Sequence, residues 1–213
     1  MKRIPVVLLS AGVLLLSGVA IAQVGSNDAV LNPNLAGAEE IAAVPHISSV
    51  LAEAIIAGRP YLSANDLDAK LRGAALSDEQ RAEVYVKLFV PINLNTASDE
   101  EMRLVPGVGD KMAHEFDEYR PWEGGIARFR REIGKYVDDE EVARFEQYVF
   151  VPLDLNSASS EELHTIPGVG DRMVHEFEEY RPYVSMAQFR REMGKYVDDA
   201  EVARLERYFV IKQ

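Results

Sequence analysis

PGVGDKMAHEFDEYRP at residues 106–121 returns as PGVGDRMVHEFEEYRP at 167–182. The two stretches differ at three positions: Lys111 against Arg172, Ala113 against Val174, and Asp117 against Glu178. A second pair follows, FRREIGKYVDDEEVAR at 129–144 and FRREMGKYVDDAEVAR at 189–204. Duplication this close marks a repeat array, so fold and function must be read from the repeat unit.

A third, decayed copy lies upstream at the same 61-residue offset. Pro45 falls on Pro106, Arg59-Pro60-Tyr61 on Arg120-Pro121-Trp122, and Phe89-Val90-Pro91 on Phe150-Val151-Pro152. Val44-Pro45-His46-Ile47-Ser48 stands where Val105-Pro106-Gly107-Val108-Gly109 stands, so the Gly-Val-Gly signature is missing there. The expected units are 31–91, 92–152 and 153–213, after a linker at 23–30.

Residues 1–22 read as a secretory signal peptide. Lys2-Arg3 is the basic start, Pro5 to Leu16 is apolar, and Ala20-Ile21-Ala22 is a small-residue cleavage site before Gln23. The chain is then exported, to the periplasm or another extracytoplasmic space. An uncleaved stretch from Ile4 to Ala22 would instead serve as a membrane anchor. There is no cysteine, hence no disulfide framework.

Within a unit the punctuation is helical. Ser98 with Glu101, and Ser159 with Glu162, have the spacing of a capping box. A short helix to about Leu104 stops at Pro106, and Gly107 and Gly109 allow a tight turn. A second helix runs from Asp110 to about Arg120, with Met112, Phe116 and Tyr119 on one inward face. A third carries Phe129, Ile133 and Val137. A fourth, capped by Asp138 and Glu141, turns Val142, Phe145 and Val149 inward. LFVPINLN, VFVPLDLN and the final YFVIK are extended, as short strands or as irregular joints. The expected fold is all-α: a tandem array of three four-helix units with short extended linkers.

The Leu-x-Pro-Gly-Val-Gly turn between two helices resembles a helix-hairpin-helix motif. With Asn-Leu-Asn-Thr-Ala-Ser ahead of it at 93–98, it is similar to the ComEA family of exported, competence-type DNA-binding proteins. The resemblance covers 93–121 and 154–182 well and 32–61 poorly. The hairpin, aromatic-proline loop and two further helices are also similar to the extrinsic U subunit of photosystem II, a scaffold that binds no DNA. The first resemblance implies that the hairpin grips a DNA phosphate without reading bases, sometimes with a monovalent cation on its carbonyls. The matching positions are Gly107, Val108, Gly109 and Lys111, then Gly168, Val169, Gly170 and Arg172. Bare amides and the positive end of a helix dipole supply the physics, and such contacts position a protein on DNA without specifying sequence.

Two features pull the other way. Asp110 and Asp171 sit where their carboxylates could take those amides. The second helix also has an acidic outer face: Glu115, Asp117 and Glu118, repeated as Glu176, Glu178 and Glu179. Net charge is −12, and loss of 1–22 would deepen it by two, whereas a phosphate-binding surface is usually basic. The plainer reading is that Gly-Val-Gly only packs two helices. Arg130, Arg131 and Lys135, beside Arg128 and repeated as Arg190, Arg191 and Lys195, are candidate secondary phosphate contacts. Pairing with neighbouring carboxylates such as Glu132 and Glu192 competes for them. Asp110, His114 and Glu118, with Asp171, His175 and Glu179, have a spacing open to a divalent metal, but read as a solvated helix face. No catalytic arrangement is visible, no Walker-type phosphate loop and no nucleophile elbow, and no small-molecule substrate is expected. The partner is DNA, or alternatively an envelope protein bound by an acidic scaffold.

Overall fold

The computed structural model describes residues 29–212, and they are mostly helical. Residues 1–22, read above as a signal peptide, and most of the expected 23–30 linker lie outside the described residues. Four helices fall in each 61-residue stretch. The first holds α1 (Ala38–Ala42), α2 (Ser49–Ala57), α3 (Ala64–Gly73) and α4 (Asp78–Tyr85). The next holds α5 (Asp99–Met102), α6 (Asp110–Glu118), α7 (Gly125–Ile133) and α8 (Asp139–Glu146). The last holds α9 (Ser160–His164), α10 (Asp171–Glu179), α11 (Met186–Met193) and α12 (Asp199–Glu206). Among the described residues no helix is long and apolar enough to cross a membrane.

The extended stretches are paired strands. β1 (Ile92–Asn93) lies parallel to β2 (Val149–Phe150), with Ile92 opposite Val149. β3 (Leu153–Asp154) lies parallel to β4 (Phe209–Val210), with Leu153 opposite Phe209. Leu31 and Leu88 form an isolated parallel bridge at the equivalent place. Each stretch therefore begins and ends side by side, with its helices as the crossover that a parallel pair requires.

Helix starts follow local chemistry. Ser63, Ser77, Ser98, Ser159 and Ser185 each accept from an amide of the first turn, as do Asp138 and Asp198. Ser159 and Glu162 form the full expected capping box. Ser98 and Glu101 form only half of one. Glu101 Oε1 instead accepts from the Ala64 amide at 2.8 Å, so its carboxylate caps α3 of the preceding stretch. Local spacing cannot reveal a partner 37 residues away.

A recurrent latch shapes each turn after the second helix. Arg59, Arg120 and Arg181, each followed by a cis proline, donate to two backbone carbonyls of the lead. For Arg120 these are Leu94 O at 2.5 Å and Ala97 O at 2.6 Å; for Arg181 they are Leu155 O and Ala158 O. Asn34, Asn95 and Asn156 accept from the amides of Tyr61, Trp122 and Tyr183. The aromatic tips close the set: Tyr61 Oη donates to Ile55 O at 2.9 Å, and Trp122 Nε1 to Phe116 O at 3.0 Å. The asparagine shared by all three leads, Asn34, Asn95 and Asn156, thus works here as a brace.

One core cluster runs through residues 30–151 and a second through 150–209. Phe116 packs edge-on against Phe129 and Phe145 at 5.4 and 5.7 Å, and all three are fully buried. Met112, Tyr119 and Val137 pack at its margin. Contacts also join the first and last stretches. Arg207 Nη2 donates to Pro91 O at 2.7 Å, and Leu35 lies against Gly168.

Candidate phosphate-binding hairpins

Gly107 and Gly168 both have φ of 79°, a left-handed conformation that glycine adopts without penalty. A side chain at Gly107 would also run into the Arg144 guanidinium. Val108 is buried and Val169 half-buried, each anchoring its hairpin to the core. Gly109 and Gly170 follow in extended conformation as the N-caps of α6 and α10, and no atom lies within 4 Å of where a Cβ would stand.

Neither α6 nor α10 has a side-chain cap. Amides at a helix start need partners from outside the helix; in α10 the Met173 amide turns back to Gly170 O at 2.9 Å, and the remaining donors lie with a positive dipole end at each glycine start. Lys111 and Arg172 are exposed on that first turn. Lys111 Nζ lies 5.9 Å from the Tyr136 ring centroid.

The first stretch keeps the hairpin after all. His46 takes the left-handed position at φ 65°, which few non-glycine residues adopt. Its imidazole Nε2 lies 2.8 Å from Glu83, which occupies the place of Arg144. Ser48 stands where Gly109 stands and accepts from the Leu51 amide at 3.2 Å. Val50 replaces Lys111 and is 78% exposed. This hairpin has its own cap, and an exposed apolar residue stands where the other two carry Lys111 and Arg172.

The carboxylates expected to compete at the other two hairpins are turned away. Asp110 Oδ1 accepts from Arg103 Nε at 2.7 Å. Asp171 Oδ1 lies 2.8 Å from His164 Nε2. Glu115 and Glu176 do not lie on the outer acidic face; both are buried beneath it, because α6 and α10 pack that edge inward. His114 and His175 pair with Glu118 and Glu179 at 3.6 and 3.5 Å. No group of three or more metal-ligating side chains forms among the described residues.

Every secondary cation is engaged within the protein. Arg130 holds Glu146 through two bonds of 2.6 and 2.7 Å, and Arg190 holds Glu206 through two of 2.6 Å. Arg131 and Lys135 share Glu132, as Arg191 and Lys195 share Glu192. Lys135 first, then Arg131, hold the Glu132 carboxyl below the usual carboxylate range. Such pairs cancel much of the field these cations would offer a phosphate. One carbonyl of each hairpin is engaged too: Arg144 Nη1 donates to Pro106 O and Arg204 Nη1 to Pro167 O, each at 2.7 Å. A monovalent cation on those two carbonyls would meet a guanidinium, so they do not fit one.

Beside the second hairpin lies a groove of about 720 Å³, lined by Tyr85, Val86, Leu104 and Val108, with Asp78 and Glu83 at its edge. Sequence reasoning missed Arg103, Arg144 and their roles at the hairpin. The recurrence of Arg144 as Arg204 was the available signal. Searches of protein-family models, curated proteins and solved structures found no match to this chain.

Proposed function

We propose that this chain is an exported array of three helix-hairpin-helix units, 31–91, 92–152 and 153–213, after a signal peptide at 1–22. In this reading the second and third units hold duplex DNA by its phosphates without reading sequence. The contacts are the amides at Gly107 and Gly109 with Lys111, and those at Gly168 and Gly170 with Arg172; the Val108 and Val169 amides already donate to Val105 O and Ile166 O at 3.0 and 3.1 Å, so these two residues shape the turn instead. No catalytic role is part of the proposal.

The contrast among the three hairpins carries it. The first satisfies its helix start with Ser48, whereas α6 and α10 begin on uncapped glycines with a cation on the next turn. Serine is a better N-cap than glycine by a few tenths of a kcal/mol, so the uncapped starts forgo a little stability and leave donors for an outside acceptor.

The test is binding of the mature chain to duplex DNA across a salt series. Two phosphates neutralised should give a log–log slope of about −1.8, at about −0.9 per phosphate. Gly109→Ser with Gly170→Ser supplies the cap of the first hairpin. It is expected to raise stability by about a few tenths of a kcal/mol and weaken DNA binding several-fold. Unchanged binding in that variant would separate the hairpin amides from the interaction.

A second reading, an acidic scaffold for an envelope protein, is favoured by one specific observation. All six secondary cations are spent on internal carboxylates, so they offer little field to a phosphate. Absence of DNA binding at low salt selects this reading.

A further inference from the structure

The second and third hairpins differ in the residue that holds their helix-start aspartate. In the second it is Arg103, whose Nε donates to Asp110 at 2.7 Å and whose Nη2 lies 3.5 Å from Asp99. In the third it is His164. Its Nδ1 lies 2.7 Å from the Ser160 carbonyl oxygen, and its Nε2 lies 2.8 Å from Asp171 Oδ1. Both ring nitrogens therefore face acceptors. A neutral imidazole has one donor and one lone pair, and only the imidazolium donates at both positions.

We propose that the bridge from His164 to Asp171 is a proton-operated latch, making the third hairpin pH-sensitive while the second, latched by Arg103, is not.

The groups facing His164 all favour its protonated form. Asp171 on α10 is the largest influence, the Ser160 carbonyl on its own helix the next, and Glu178 on α10 adds through charge; together they raise the imidazole above its ordinary value of 6.5. Glu178 is itself held by a hydrogen bond from Ser160 Oγ at 2.6 Å. A folded value raised above the unfolded one makes the latch fully present below about 6.5. It is lost as pH rises through the raised value. Losing the proton leaves one N–H for two acceptors and removes the charge that binds the Asp171 carboxylate, so the bridge weakens from a charge-assisted pair to at most a neutral hydrogen bond. That carboxylate sits on the first turn of α10, beside the helix start at the uncapped Gly170.

The consequence for ligands rests on the phosphate-binding reading. As pH rises, the third hairpin loses a positive charge beside its helix start, and Asp171 keeps its negative charge with a weaker partner. Its phosphate affinity then falls while that of the second is unchanged.

Two measurements on the full chain test the latch. Imidazole titration by NMR, with His164 assigned through His164→Gln, should place its midpoint above 6.5 and return it toward 6.5 in Asp171→Asn. The amide shifts of Gly170, Asp171 and Arg172 should follow that midpoint, and those of Gly109, Asp110 and Lys111 should not. A midpoint at or below 6.5, one that ignores Asp171→Asn, or both hairpins moving together overturns the proposal. This readout needs no DNA, so loss of the DNA reading leaves it decisive. Where duplex DNA binds, affinity should fall severalfold from pH 6 to pH 8, and His164→Arg, which copies Arg103, should abolish that fall. The same pH dependence in wild type and His164→Arg overturns it as well.

Discussion

Replacing Lys111 and Arg172 by glutamate is expected to remove measurable binding to duplex DNA. Each lysine or arginine on a phosphate contributes about one to the salt slope, so the double variant should lose nearly all of a slope of about −1.8. Reversal of charge adds repulsion, and affinity should fall roughly tenfold or more for each site at low salt. The helices should survive, since both side chains are exposed and a glutamate in the first turn suits the helix dipole. Unchanged circular dichroism would confirm this. If the variant binds with the wild-type slope, the hairpins are not the contact.

Trp122→Ala should produce the largest loss of stability, about 3–5 kcal/mol by the usual cost of deleting a buried large aromatic. The indole is 1% exposed, packs 5.5 Å from Phe129 and donates to the Phe116 carbonyl at 3.0 Å. Its removal opens a cavity and leaves that carbonyl without its donor. Trp122→Tyr should cost far less, because Tyr61 and Tyr183 fill the equivalent places and reach carbonyls of α2 and α10. Thermal denaturation followed by circular dichroism compares the two. Equal midpoints for Trp122→Ala and wild type would refute the central place given to this ring.

The helices were legible because their signals are local. A serine or aspartate cap, a proline stop and a glycine turn act within a few residues, and Ser159, Asp138 and Pro106 all behave as their spacing suggests. The strand pairs were not legible. Two-residue strands carry no alternation to read, and Ile92 meets Val149 only through the whole crossover. Glu101 misled for the same reason, since its partner Ala64 belongs to another stretch. At the hairpins, Gly107 and Gly168 announce their φ, but His46 holds a similar one without announcing it. The direction of Asp110 was hidden as well, because Arg103 outcompetes the helix amides through a contact that only the folded turn creates.

The parallel closure of each stretch has a mechanical consequence. Tension on the chain ends would pull Leu31 one way and Leu88 the other along their shared direction, and likewise Ile92 against Val149 and Leu153 against Phe209. Load then falls in shear on paired bonds such as Leu31 N to Lys87 O and Phe89 N to Leu31 O, rather than opening them one at a time. A chain joined this way resists stretching in three successive clasps, each guarding the four helices behind it.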